Sequence, residues 1–120
     1  MKVLRITVAL IALTTAAQAQ YTNSNGLPPI EYDHPFKGKL VLETVTLDEL
    51  RLRCRTVFPT TRACTFPGTG WCKIVMADDV HGWKSRMLMR HEVGHCNGWP
   101  GTHFGARVAP PETIKRTSEK

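Results

Sequence analysis

The stretch RHEVGHCNGWPGTH, residues 90–103, contains the side chains best suited to chemistry. His91 and His95 are four residues apart, and this spacing places both side chains on one face of an α-helix. Two neutral imidazoles on one face can bind Zn²⁺, and a glutamate at the position of Glu92 can act as a general base. The spacing therefore predicts a metal site on a helix, with Glu92 as the catalytic residue.

A third ligand is needed, because a catalytic zinc site combines three protein ligands with an open position for water. His103 follows His95 by eight residues, across the segment 96–102, whose two glycines and one proline favour a tight turn. We expect His103 to be the third ligand. The downstream carboxylates, Glu112 and Glu119, remain alternatives.

Hydrolysis of a peptide would also need a donor for the oxyanion of the transition state. The candidate donors are His81, Tyr32 and Arg90, and the sequence does not choose among them.

The segment resembles the zincin metallopeptidases, and most closely the metzincin pattern H-E-x-x-H-x-x-G-x-x-H. The positions that match are His91, Glu92, His95 and Gly98. His103 falls two residues later than the last histidine of that pattern, and no methionine follows Met89. The stretch is also similar to small exported bacterial proteins of unassigned role that carry the same helix end. The resemblance implies a Zn²⁺ cofactor and a minimal zincin-like α+β domain, in which a small sheet packs on the HExxH helix.

The elements that precede the motif can be predicted from local patterns. Residues 39–45 (KLVLETV) contain β-branched residues and predict a strand. Thr46 and Glu49 form a capping box, T-x-x-E, which predicts a helix to about Cys54. Its inward-facing residues are predicted to be Leu47, Leu50 and Leu52.

The central part of the chain is predicted to lead into the motif helix. Prolines and glycines within residues 58–70 indicate a loop or hairpin. Residues 72–76 (CKIVM) predict a second strand, and the resemblance implies that this is the zincin edge strand that aligns substrate. Asp78-Asp79 offers N-cap chemistry for a helix from about Val80 or Trp83 to Asn97. Gly98 is suited to end that helix.

The cysteines are expected to form disulfides. They are Cys54, Cys64, Cys72 and Cys96. An even number in a short exported chain favours two disulfides over a thiolate metal site. Four cysteines allow three pairings, and the sequence does not decide among them, although we favour Cys96 with Cys72.

Residues 1–19 are predicted to be a bacterial-type secretory signal peptide. Lys2 and Arg5 form a basic head, residues 6–16 are apolar, and A-x-A precedes a cleavage site after Ala19. The mature protein is therefore expected in the periplasm or outside the cell.

The mature chain is predicted to hold one zincin-like domain at 37–105, between an extended lead-in (20–36) and a polar tail (106–120). The formal net charge is +6, and loss of Lys2 and Arg5 with the signal leaves +4. No nucleic-acid motif accompanies this charge, so we expect no nucleic-acid partner, and no segment after the signal is apolar enough to span a membrane.

The sequence thus predicts a secreted or periplasmic zinc peptidase that acts as a monomer. Its substrate would be an exposed peptide segment of a protein or a peptide of the cell envelope. The alternative is a non-catalytic exported module that binds zinc or an envelope partner.

Overall fold

The computed structural model describes residues 26–56 and 58–112 of the chain. The predicted signal peptide, the first part of the lead-in, and the tail beyond residue 112, which includes Glu119, lie outside the described residues. In chain order the elements are β1 (Gly26–Leu27), a 3-10 turn (Ile30–Tyr32), β2 (Lys39–Val45), α1 (Leu47–Cys54), β3 (Ala63–Pro67), β4 (Trp71–Ala77), α2 (Gly82–Cys96) and β5 (Arg107–Val108).

These elements form a small α+β fold, as predicted, and it contains two sheets where one was expected. The main sheet has the order β2-β4-β3, with β2 parallel and β3 antiparallel to β4. The strand at Cys72–Met76 is part of β4, which is hydrogen-bonded on both sides. The expectation that it is an edge strand is therefore wrong. After α1 the chain continues as β3, which runs antiparallel to β4. β3 forms the edge of the sheet that lies beside α2.

The first predicted strand and helix are confirmed. The backbone N–H of Glu49 donates to the Thr46 hydroxyl at 3.3 Å, so the side chain of Thr46 caps α1 as the T-x-x-E pattern indicates. Leu50 is fully buried, but Leu52 is 79% exposed and does not face inward. Two residues correspond to a rotation of about 200° around a helix, so Leu52 is on the side opposite Leu50.

The two helices cover opposite faces of the main sheet. Because side chains alternate along a strand, neighbouring residues of β4 pack into different cores. On the α1 side the core consists of Val45, Leu50, Cys54, Cys64, Val75 and Ala77. On the α2 side it consists of Ala63, Ile74, Met76 and Leu88.

Each face of the sheet also has a disulfide that fixes its helix. Cys54 at the end of α1 is bonded to Cys64 of β3, and Cys96 at the end of α2 is bonded to Cys72 of β4. Both the expected number of disulfides and the favoured Cys72–Cys96 pairing are confirmed. Disulfides are typical of proteins in an oxidising, exported environment.

α2 begins at Gly82, within the predicted range, but its capping differs from the prediction. Its N-cap is His81, whose side chain makes no capping hydrogen bond. Asp79 instead accepts a hydrogen bond from Arg62, and the backbone N–H of Asp78 donates to the carbonyl of Val45, so neither aspartate caps the helix. Within the described residues, no helix is both long and apolar enough to cross a membrane.

The lead-in and the beginning of the tail pack onto α2. β1 and β5 pair antiparallel, with Gly26 opposite Val108. Residues 26–36 and 107–108 lie outside the predicted domain bounds of 37–105, yet β1 and the 3-10 turn both contact α2. The lead-in lies beside the histidines, since the carbonyl of Gly26 contacts His91, and β3 lies beside Glu92 through Thr65.

Candidate metal centre

Three histidine side chains converge beside the last two turns of α2. The Nε2 atoms of His91 and His95 are 3.3 Å apart, and that of His103 lies 3.1 Å from the first and 3.2 Å from the second. Tetrahedral coordination with Zn–N bonds of 2.0–2.1 Å separates neighbouring ligand atoms by roughly 3.3 Å. The three histidines could therefore hold a metal ion as three corners of a tetrahedron.

Backbone carbonyl groups orient two of these rings. Nδ1 of His91 lies 2.6 Å from the carbonyl oxygen of Gly26, and Nδ1 of His95 lies 2.7 Å from that of Trp99. Since a carbonyl can only accept, each Nδ1 carries the proton and each Nε2 keeps its lone pair for the centre. This tautomer is the one that metal-binding histidines need.

The turn after α2 brings the late histidine to the other two. Gly98 adopts a φ of +102° as the residue that ends the helix, which confirms its predicted role. The N–H of His103 then donates to the carbonyl of Pro100 at 3.0 Å. His103 itself has a φ of 59°, a left-handed conformation that is uncommon for any residue but glycine. This turn accommodates the two residues by which the spacing exceeds the metzincin pattern.

The buried indole ring of Trp99 packs against all three imidazoles. It is 1% exposed, and its ring stacks on His95 with a centroid distance of 4.7 Å. It contacts His91 and His103 at steeper angles, with centroids 5.0 and 5.1 Å away. The indole N–H donates to the carbonyl of Phe104 at 2.8 Å, which also fixes the chain just after His103.

The close approach of the lead-in depends on the glycine inside the HEVGH helix. A Cβ added to Gly94 would lie 2.6 Å from Cβ of Pro28, so any side chain here would displace the lead-in. That segment supplies Gly26, the partner of His91. This role was not predicted from the sequence, because a single glycine inside a helical pattern does not indicate which segment packs against it.

Two further contacts bind the lead-in to the helix. Asp33 accepts hydrogen bonds from both Arg90 and Arg107, and the Arg90 guanidinium holds the pKa of this carboxyl below its usual range. The side-chain amide of Asn97 donates to the carbonyls of Tyr32 and His34. These contacts were not predicted from the sequence.

The three predicted transition-state donors lie in different parts of the structure. His81 is exposed at the N-terminus of α2, ten residues before His91 and about 15 Å along the helix axis, so it is not part of this site. Arg90 is half-buried and paired with Asp33. The ring of Tyr32 lies beside Gly98, just beyond the last turn of α2. Glu112 is exposed and does not belong to the histidine group.

Burial keeps the three histidines neutral. Desolvation, assisted by the neighbouring imidazoles and opposed by the backbone hydrogen bonds, lowers the pKa of His91 to about 3 and that of His95 to about 4. Burial also lowers the pKa of His103. Uncharged imidazoles at neutral pH are the form that binds a metal ion.

Glu92 lies on the sheet side of the helix and is completely buried. Its carboxylate accepts a hydrogen bond from the Thr65 hydroxyl on β3. Burial raises the pKa of Glu92 to about 8, although this hydrogen bond opposes the shift. Of the buried side-chain nitrogen and oxygen atoms in the described part of the chain, only Oε1 of Glu92 has no hydrogen-bond partner. An unsatisfied buried oxygen of this kind fits a site that also takes up a metal ion and water.

Comparison with known proteins does not assign the chain to a family. No family model matches it, and no curated protein or solved structure gives a significant match.

Proposed function

We propose that this protein is an exported, zinc-dependent peptidase. The observation that carries the proposal is the triangle of three Nε2 atoms at 3.1–3.3 Å beside the helix that carries Glu92. His91, His95 and His103 would hold Zn²⁺ and leave one tetrahedral position for water or substrate. His103 is only half-buried, so water could reach the centre beside this side chain.

When bound, Zn²⁺ lowers the pKa of its water to about 7 and polarises a carbonyl group. Glu92 would be ionised in that state, because a nearby cation opposes the effect of burial on its pKa. The Thr65 hydroxyl would hold one carboxylate oxygen, and Oε1 would take the proton of the attacking water. The protonated Glu92 would then give this proton to the leaving amine.

The surroundings of the site suit an extended peptide as substrate. β3 contacts Glu92 through Thr65, and within the described residues its outer edge has no partner strand. A substrate backbone could add to such an edge by main-chain hydrogen bonds. Phe104, next to His103, is 83% exposed and offers an apolar contact for a substrate side chain. A segment of an exported protein or a peptide of the cell envelope would satisfy these requirements.

One observation favours a second candidate, a non-catalytic zinc-binding module. Glu92 is 0% exposed and is already bound to Thr65, so its role could be to fix α2 to β3. In that case the three histidines would bind zinc for stability or for contact with an envelope partner.

Zinc content and peptide cleavage together distinguish these two functions. We would compare the zinc-loaded wild type with Glu92→Gln, and use Glu112→Gln as a matched control, since Glu112 is exposed and outside the histidine group. For a peptidase, Glu92→Gln should retain zinc and lose roughly 100-fold or more in kcat, while the control stays active. If the wild type cleaves no member of a broad library that includes cell-wall peptides, the peptidase proposal is wrong and the binding module is favoured.

A further inference from the structure

The outer edge of β2 has an apolar stripe that nothing in the described residues covers. Leu40 and Leu42 are 42% and 52% exposed, although they lie in the middle of a seven-residue strand. Their side chains point to the α2 side of the sheet, because they pair in register with Cys72 and Ile74. On that side α2 packs on β3 and β4, so β2 is left at the uncovered margin.

The backbone of this strand is also available for pairing. The N–H of Lys39 donates to Gly70, and the carbonyl of Val45 accepts from Asp78, so the odd-numbered residues of β2 direct their polar groups toward β4. The even-numbered residues, including Leu40 and Leu42, therefore direct theirs outward. Edge strands with exposed backbone groups and apolar side chains are usual sites of pairing with another strand.

We propose that β2 pairs antiparallel with β2 of a second copy of this chain, around a two-fold axis at Val41. This register places Leu40 of each copy opposite Leu42 of the other. The two symmetric pairs bring the four exposed leucines together, so that they cover one another. Both residues direct their backbone outward, so each Leu40–Leu42 pair exchanges two hydrogen bonds. The two three-stranded sheets would join into one sheet of six strands.

The charged residues of β2 favour the same register. Lys39 comes opposite Glu43 of the second copy, whose carboxylate already pairs with Arg53 and Lys73 of its own chain, so Lys39 would add a third cation at this carboxylate. Opposite charges across an antiparallel pair are stabilising. A shift of the axis to Leu42 also places the outward-directed backbone groups of the two strands opposite each other. It brings Lys39 opposite Val45, however, and the lysine–glutamate pair is lost. The axis at Val41 alone matches leucine with leucine and lysine with glutamate. The protein would then be a dimer, in contrast to the monomer expected from the sequence.

Measuring the self-association of the full mature chain tests whether the partner of β2 is a second copy of this chain. Sedimentation equilibrium should show a concentration-dependent increase from the mass of one chain to that of two. Leu42→Lys should weaken the dimer by roughly tenfold or more, because it removes an apolar contact from both leucine pairs. The control is Leu52→Lys, the same substitution at a residue of α1 that is 79% exposed, and it should have no effect. Unfolding temperatures would establish that both variants fold.

Cysteine cross-linking tests the register. Val41 would face its own copy as a non-hydrogen-bonded pair with Cα atoms about 4.5 Å apart, within disulfide range. Val41→Cys should therefore give a disulfide-linked dimer on mild oxidation. Leu40→Cys should not, because the two residues 40 would be diagonal neighbours about 7–8 Å apart.

Three results would overturn the proposal. One is a wild type that remains a single chain at millimolar concentration. If the amide of Leu42 also exchanges slowly in that case, another segment of the same chain covers the edge. The second is equal association of the Leu42→Lys and Leu52→Lys variants. The third is equal cross-linking at positions 40 and 41.

Discussion

The Nε2 atoms of His91 and His103 lie 3.1 Å apart, although twelve positions separate the two residues in the sequence. The first is fixed by the helix and by the carbonyl of Gly26, and the second by the turn that starts at Pro100. Two neutral imidazole nitrogens that both direct lone pairs to one point are stabilised by a cation between them. The contact thus relates the geometry of the turn directly to metal binding.

Substitution of His103 should separate its role as a ligand from its role in the turn. Loss of one of three ligands should weaken zinc binding by at least ~100-fold, since groups that only orient a ligand already contribute ~10–100-fold. His103→Gly should make the metal-free protein about 1 kcal/mol more stable than His103→Ala, because glycine adopts the left-handed conformation at no steric cost. Competition with a chromogenic chelator measures the first effect, and thermal unfolding in excess chelator measures the second. Unchanged zinc affinity would show that His103 is not a ligand.

Glu92 should make the stability of the metal-free protein depend on pH. Its pKa is about 8 in the folded state and 4.5 when unperturbed, so its contribution to stability is full below pH 4.5 and is lost as the pH rises through 8. Glu92→Gln has no such loss. The free energy of unfolding of this variant relative to wild type should therefore increase by on the order of 3 kcal/mol between pH 5 and pH 8. The histidine shifts are common to both proteins and cancel in the difference.

The measurement is chemical denaturation of wild type and Glu92→Gln in excess chelator at several pH values. Parallel stability curves for the two proteins would show that Glu92 is ionised throughout, in contradiction to its burial. Added zinc should reduce the difference between them, because a nearby cation favours the carboxylate.

The elements marked by β-branched residues, by a capping box or by a helix-ending glycine were predicted well from the sequence. The strand at 39–45, the helix after Thr46 and the motif helix ending at Gly98 follow from residue types and caps alone, and the late His103 reached the centre as expected. The order of the strands did not follow, because periodicity shows which face of a strand is buried and not which strands are its neighbours.

The contribution of the lead-in could not be predicted for a different reason. It supports the site through the backbone carbonyls of Gly26, Tyr32 and His34, and every residue type has such a carbonyl. The burial of Glu92 was missed as well, since it depends on the position of Thr65 on a strand that the sequence indicated only as loop or hairpin.

Gly94 should be needed for the contact between α2 and the lead-in. Alanine is the better helix former by about 1 kcal/mol, but its Cβ would lie 2.6 Å from that of Pro28, and overpacking of this kind costs ~1–3 kcal/mol. We therefore expect Gly94→Ala to lower stability and to weaken zinc binding, because displacement of Pro28 also moves the Gly26 carbonyl away from His91.

Pro28→Gly removes the atoms that clash with an alanine at position 94. The double variant Pro28→Gly/Gly94→Ala should therefore be more stable than the sum of the two single changes predicts. Unfolding free energies of the four proteins in a double-mutant cycle measure this coupling. Strict additivity would contradict a direct contact between the two residues.

The two disulfides should affect stability similarly but zinc binding differently. They close loops with separations of 10 and 24 residues, so loss of either should cost about 3 kcal/mol by chain entropy. Cys96 directly follows His95 and anchors the last turn of α2 to β4, whereas Cys54 lies on the opposite side of the sheet. Replacing Cys72 and Cys96 by alanine should therefore weaken zinc binding by roughly tenfold or more, and the same change at Cys54 and Cys64 should leave it nearly unchanged. Chelator competition on the two variants, under conditions where both remain folded, measures the difference. Equal zinc affinities would show that α2 holds His95 in place without its disulfide.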